Sequence, residues 1–333
     1  MPVFRTHPSA FLHTTSSLTP ANHWDHILAR FGYRREWHRV DPGLYHLGNP
    51  TPDSVVLVTS NYSLSFDALR SSIPGVDAYI LVLDTFGINV WCAAGKGTFG
   101  TKELIHRIQD VHLDTLVRHR VVILPQLGAP GVAAHEVKKA TGFRVEYGPI
   151  RAADLPEYLK THEATPAMRT VRFPLADRAI LIPVEVVGTF IPMLGAAVAG
   201  FLLGGLWLAL AAVISMLAGT VLFPLVLPWL PFREFSAKGF ILGILVILPF
   251  AAIKLTSISV ISLQVALSLA GLFLVFPAIT AFISLNFTGS TPFTSKTGVR
   301  LEMNRFIPLM AWLFGIGCVL TIIARIMSLT GAA

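Results

Sequence analysis

Along the first half of the chain, short apolar runs alternate with segments of mixed polarity. Residues 54–59, 78–83, 121–124 and 143–147 are four such runs, each the length of a buried strand. Between and after them the spacing predicts helices over 63–72, 102–118, 132–141 and 154–162, the third closed by Gly142 at its C′ position. Within 102–118, Leu104, Ile105, Ile108, Val111 and Leu116 fall on one face at about 100° per residue. Strand and helix alternate, and the strands are continuously apolar. The expected fold is therefore α/β: a Rossmann-like parallel sheet covered on both faces. Ligands of such sheets sit beyond the carboxyl ends of the strands, which singles out 60–64, 84–101 and 125–131. Residues 1–50 are irregular, aromatic and His-rich. They read as an N-terminal extension packed on a soluble domain at 51–162.

The pattern then changes. A linker containing Pro and Arg covers 163–180, and 181–333 reads as an all-α transmembrane domain. Five spans are expected, at 183–203, 206–227, 239–258, 260–284 and 306–327. Each is near the ~20 residues that a ~30 Å hydrocarbon core requires. Only Gly204-Gly205 separates the first pair.

Charge follows the same division. Residues 1–178 hold 19 Lys/Arg and 16 Asp/Glu, whereas 179–333 hold seven and three. Mean hydropathy is +0.64, above that of an ordinary soluble domain. A wholly soluble enzyme, a disordered chain and a single-span anchor are excluded. The modest net charge of +7 gives no reason to invoke nucleic acid; in the apolar half it fits loops lying against anionic lipid. A cytoplasmic soluble domain puts Arg169, Arg172, Arg178, Arg233, Lys238, Lys296, Arg300 and Arg305 all on the inside. Lys254 and Arg325 then snorkel at outer ends. Residues 1–40 contain no apolar leader. The expectation is a multi-pass protein of the cytoplasmic membrane with its N-terminal domain facing the cytoplasm. Glu185 and Lys254 are the only charges in the first four spans, so the apolar half reads as an anchor and partner platform rather than a transport path. The loop 286–305 is expected to face the soluble domain.

The candidate chemistry lies in Asn89-Val-Trp-Cys-Ala-Ala-Gly-Lys-Gly-Thr-Phe-Gly-Thr101, after the second strand. Three readings compete. Gly95-Lys-Gly-Thr-Phe-Gly100 satisfies a G-x-G-x-x-G dinucleotide pattern, but that fingerprint wants a strand directly before the first Gly. Cys92 can be a buried small hydrophobe. Alternatively, Cys92 is a thiolate ligand: Ala93, Ala94, Gly95 and Gly97 clear bulk around it, and Asn89 caps a short helix whose positive end favours the anion. No second Cys or His stands at zinc spacing from it. One protein thiolate suits a metal whose other positions belong to a macrocycle. Asp110-Val-His112 only approaches the D-x-H-x-x-G of His-ligated corrinoid domains; His112 reads as a surface residue of its helix. Cys318 lies in an apolar run and reads as a packing residue.

The segment 89–101 resembles the hallmark of the mercury-methylating corrinoid proteins, the HgcA family. Thr59–Asp67, Leu124–Gly131 and Tyr147–Ala152 resemble that family's corrinoid domain, itself related to the large subunit of the corrinoid iron–sulfur protein of acetyl-CoA synthesis. Phe287–Ser295, with the five spans, resembles its membrane domain. The resemblance implies a corrinoid-dependent methyltransferase forming methylmercury from Hg(II). It implies a cobalamin-type cobalt corrinoid, base-off, with Cys92 as axial ligand and catalytic residue. The implied cofactor contacts are Asn61, Asn89, Val90, Trp91, Cys92, Ala93, Ala94, Gly95, Lys96, Gly97 and Thr98. It further implies a ferredoxin-like partner with 4Fe–4S clusters as electron donor and a methyltetrahydrofolate-dependent methyltransferase as methyl source. A membrane-anchored corrinoid carrier or sensor with another acceptor is the alternative.

Overall fold

The computed structural model describes residues 12–256, 260–291 and 295–331. They form two compact units, Met1–Val171 and Arg172–Ala333.

The first unit runs β1 (Leu12–Thr14), α1 (Pro20–Arg30), β2 (Gly43–Leu47), β3 (Val56–Ser60), α2 (Ser63–Ser72) and β4 (Ala78–Leu83). It continues with α3 (Val90–Lys96), α4 (Thr101–Asp110), α5 (Leu113–Leu116), β5 (Val121–Leu124), α6 (Ala134–Thr141), β6 (Arg144–Tyr147) and α7 (Leu155–Thr161). The six strands form one sheet in the order β1-β2-β4-β3-β5-β6. Strands β4, β3, β5 and β6 are parallel, as the continuous apolar runs require. Their central residues, among them Val58, Ile80, Leu81, Val82, Val122 and Leu124, are fully buried. One face packs on Leu104, Ile108 and Val137, the other on Phe66, Leu69, Leu155 and Tyr158.

Two local expectations change. The segment expected to be irregular, insofar as it is described, supplies a helix and two strands. Strand β2 pairs antiparallel with β4, and β1 pairs parallel with β2. Strand β1 has only three residues, and Gly43 and His46 interrupt the apolar run of β2. Helix α1 opens with a capping box: Thr19 Oγ1 accepts the Asn22 N–H, and Asn22 Oδ1 accepts the Thr19 N–H. Buried polar contacts pin it to α2. Asp25 accepts Ser63 Oγ at 2.6 Å and pairs with His38; Asp67 pairs with His26 and Arg70, each at 2.7 Å.

The single helix expected over 102–118 is divided. His112 adopts a left-handed conformation (φ 49°) between α4 and α5. The break turns Leu113 and Val117 into the core, which an unbroken helix would not do at that spacing. His112 itself stays exposed. Helix α6 ends as expected, with Gly142 at φ 78°. Beyond α7, part of the expected linker packs on this unit: the Ile150 N–H donates to Met168 O, and Met168 is buried.

The second unit comprises α8 (Leu175–Ala179), α9 (Ile182–Leu217), a π-helical turn (Ala218–Leu222), α10 (Phe223–Val226), α11 (Phe235–Thr256), α12 (Leu263–Asn286) and α13 (Lys296–Thr330). Among the described residues, four helical stretches are long and apolar enough to cross a membrane: Leu175–Val226, Phe235–Thr256, Leu263–Gly289 and Thr297–Thr330. The first is broken into two helical arms. Continuous, the 36 residues of α9 would extend about 54 Å, well past a ~30 Å hydrocarbon core. Gly204 (φ −152°, ψ 23°) and Gly205 (φ 67°, ψ −161°) are not helical. The chain folds back there so closely that a Cβ on Gly200 would lie 2.7 Å from Leu208 O. This matches the two spans expected on either side of Gly204-Gly205. Small residues bring the other helices together. A Cβ on Gly239 would meet Ser284, and one on Gly243 would meet Pro277, both on α12. Thr280 Oγ1 donates to Ser215 O at 2.9 Å, tying α12 to α9. The loop expected over 286–305 is shorter, because residues 296–305 are the first turns of α13; its Pro292–Thr294, and the expected end of the third span at 257–258, lie outside the described residues.

Candidate functional site

Residues 61–62 and 84–89 leave the carboxyl ends of β3 and β4, and α3 follows. Asn61 organises this edge. It is 1% exposed, and all its polar side-chain contacts run to the next loop. Its Oδ1 accepts the N–H groups of Thr85 (3.1 Å) and Gly87 (3.0 Å), and Thr85 Oγ1 lies 2.8 Å away. Its Nδ2 donates to Asp84 Oδ1 at 3.0 Å. The Asp84 N–H donates in turn to Glu103, which pairs with Arg107. Asn61 is thus a strut under the loop that leads to α3.

That loop delivers Asn89 in extended conformation, and its Oδ1 accepts the backbone N–H of Cys92 at 2.9 Å. The expected cap is present. The helix ends at Gly97, left-handed at φ 85°, with its N–H on Ala93 O and Ala94 O. Helical periodicity then sorts the motif. Val90, Ala93 and Ala94 turn into the core beside Phe99. Trp91 and Cys92 are half-buried; Gly95, Lys96 and Gly97 are exposed. At 100° per residue Gly95 lies between Trp91 and Cys92, so the outward face offers one thiol beside a position without a side chain. Thr98 is half-buried, its N–H on Ala93 O at 3.0 Å.

The helix lies on a bed of glycines. A Cβ on Gly131 would be 2.1 Å from Phe99 O and 3.0 Å from Ala94 Cα, and one on Gly128 would be 2.5 Å from the Phe99 ring. The segment 125–131 therefore serves close backbone approach as well as turning.

Tyr62 was not singled out by motif, although the segment 60–64 was. It stands at the end of β3 and caps α2. Burial pushes its phenol up; Arg35 and Arg30 oppose this, while Asp25 and Cys92 add to it. Tyr62 is thus the electrostatic neighbour shared by Arg30, Arg35 and Cys92. The arginines come from the N-terminal segment, where no local pattern marks them. Among the described residues no three His, Cys, Asp or Glu side chains converge on a metal site. Cys92 is a free thiol, and one thiolate could complete the ligand set of a metal already held in a macrocycle.

Residues 20–159 match the family described as CO dehydrogenase/acetyl-CoA synthase delta subunit. Over 128 residues the chain is 33% identical to the acetyl-CoA decarbonylase/synthase complex subunit gamma of Methanopyrus kandleri, covering 38% of this chain and 27% of that protein. With the same subunit of Methanothermobacter thermautotrophicus it is 35% identical over 127 residues, at the same coverage. With the corrinoid/iron-sulfur protein large subunit of Moorella thermoacetica it is 27% identical over 150 residues, 42% of this chain and 33% of that protein. The chain therefore spans about a quarter to a third of the length of these relatives. The family match ends before the apolar helices begin.

Proposed function

We propose that this chain is a membrane-anchored corrinoid protein that transfers methyl groups, with Hg(II) as acceptor and methylmercury as product. The observation that carries the reading is Cys92, held by the Asn89 cap on the outward face of α3 beside Gly95. A corrinoid bound there supplies a reversible methyl carrier. Cys92 would hold its cobalt through the thiolate. Gly95 and Gly97 leave room for a flat macrocycle, and Trp91, Lys96 and Thr98 line its edge. Asn61 acts beneath them, holding the loop that positions α3. The corrinoid would supply the methyl-carrying metal, and the Cys92 thiolate would be the residue of this chain that holds it, with the soft cation Hg(II) as acceptor. Two cysteines cannot hold a 4Fe–4S cluster, so electrons for reactivation come from a ferredoxin-like partner. The methyl group comes from a methyltetrahydrofolate-dependent enzyme. The α/β unit faces the cytoplasm, where both partners are found.

The test is reconstitution of the purified full chain with cobalamin. The expected result is a retained corrinoid spectrum, altered in Cys92→Ala, and methylmercury formed only by the wild type. A wild-type protein that stays colourless sinks the reading. The relatives' names favour a second reading, a corrinoid methyl carrier for another acceptor. That reading predicts a bound corrinoid and no methylmercury.

A further inference from the structure

We propose that the membrane unit binds the headgroup of an anionic phospholipid in a cleft where α10 ends and α11 and α13 begin. The cleft has a volume of about 770 Å³. Four cations line it, Arg178, Arg233, Lys238 and Arg305, against two carboxylates, Glu234 and Glu302. None of the four has a carboxylate partner among the described residues. Arg178 is 5% exposed, and its Nη1 donates to Pro224 O (2.9 Å) and Leu225 O (2.7 Å). Its Nε has no partner. Lys238 Nζ reaches Leu227 O, and Arg305 lies over the Phe306 ring. Glu302 is already engaged by the Ser236 N–H at 2.7 Å.

A buried guanidinium without a counter-ion is costly, and a phosphate oxygen is the acceptor its planar donors match best. Free phosphate and a lipid headgroup share that chemistry. The rest of the wall favours the lipid. Phe173, Leu227, Phe232 and Phe235 are apolar surface that a free ion would leave unused. Beside the cleft, Trp229 is 74% exposed and Phe232 61%. Aromatic side chains among arginines mark the depth of the membrane–water boundary, where lipid phosphates lie. The proposal is independent of the chemistry at Cys92.

The test uses the full chain in a neutral detergent, titrated with phosphatidylglycerol, with phosphatidylcholine of the same acyl chains, and with inorganic phosphate. Native mass spectrometry reads retained lipid, and thermal unfolding reads stabilisation. Phosphatidylglycerol should be retained and should raise the unfolding midpoint; phosphatidylcholine and inorganic phosphate should do neither. The double variant Arg233→Gln/Arg305→Gln should lose about tenfold in phosphatidylglycerol retention, since it removes two charge-assisted contacts. Arg178→Gln risks misfolding, so the two exposed arginines carry the test, with Arg325→Gln near the other end of α13 as a variant that should retain the lipid. Equal retention of the two lipids, equal retention by the double variant, or the same stabilisation by inorganic phosphate would overturn the proposal.

Discussion

Asn89 Oδ1 and the backbone N–H of Cys92 are joined at 2.9 Å, so the residue that starts α3 also orients the thiol one turn later. Asn89→Ala should lower the stability of the unit by about 1 kcal/mol, the usual worth of an N-cap. Asn89→Asp, which keeps the acceptor, should restore most of it. Denaturant unfolding of the full chain followed by circular dichroism measures both, and cobalamin retention should follow the same order.

Gly131 is a position where a side chain has nowhere to go, because the obstructing atoms are backbone. Gly131→Ala should push α3 off its bed. We expect a loss of 1–3 kcal/mol, as overpacking typically costs about that much. Cobalamin retention should fall more than stability does. Gly97→Ala offers a comparison: its Cβ would meet nothing, yet φ 85° should still cost roughly 1 kcal/mol. Unfolding midpoints of the two variants separate steric from conformational cost.

The strands, the capped helix and the paired spans were legible because each depends on neighbours in sequence. Continuous apolar runs mark β3, β4 and β5, Asn89 stands before its helix, and Gly204-Gly205 interrupts an apolar stretch. What was not legible depends on distant partners. That the Asn61 side chain braces Thr85, Gly87 and Asp84 depends on residues more than 20 positions on. Arg30 and Arg35 come near Tyr62 because α1 is pinned to α2 and Arg39 bridges to Tyr62. The break at His112 follows from burying Leu113 and Val117, which the helical spacing of 102–118 conceals.

Alkaline pH should loosen the first unit. Burial, with Asp41 nearby, pushes the Tyr45 phenol up from 10.0 to about 12, and its hydroxyl donates to Asp41 O. A raised phenol favours the neutral form in the folded state. Its stabilising contribution is therefore complete below pH 10 and is lost as pH rises through about 12, because the unfolded chain then binds fewer protons. Tyr45→Phe should make the decline of stability over pH 10–12 shallower by one proton. Tyr62, Tyr79, Tyr147 and Tyr158, also raised by burial, keep the remainder. Absorbance of phenolate at 295 nm, followed with circular dichroism, reads both.

Gly205 combines φ 67° with ψ −161°, a region essentially closed to residues bearing a Cβ. Gly205→Ala should cost about 1–3 kcal/mol at the turn. Gly205→Val should cost more and prevent the two arms of α9 from pairing. Reduced yield of monodisperse protein in detergent, with labelling of cysteines introduced near residue 205, would show it. Wild-type behaviour of both variants would refute a hairpin at this point.

Strand β2 occupies the side of β4 that the parallel strands leave open, and α1 places Asp25 and His26 against α2. A fragment beginning at residue 51 would therefore leave the β4 edge unpaired and Asp67 and Arg70 without their outer partners. Such a fragment would be prone to self-association through the bared strand. Excising the α/β unit for separate study calls for a cut ahead of Leu12, and a fusion partner is better attached beyond it than spliced into the stretch from Leu12 to Leu47.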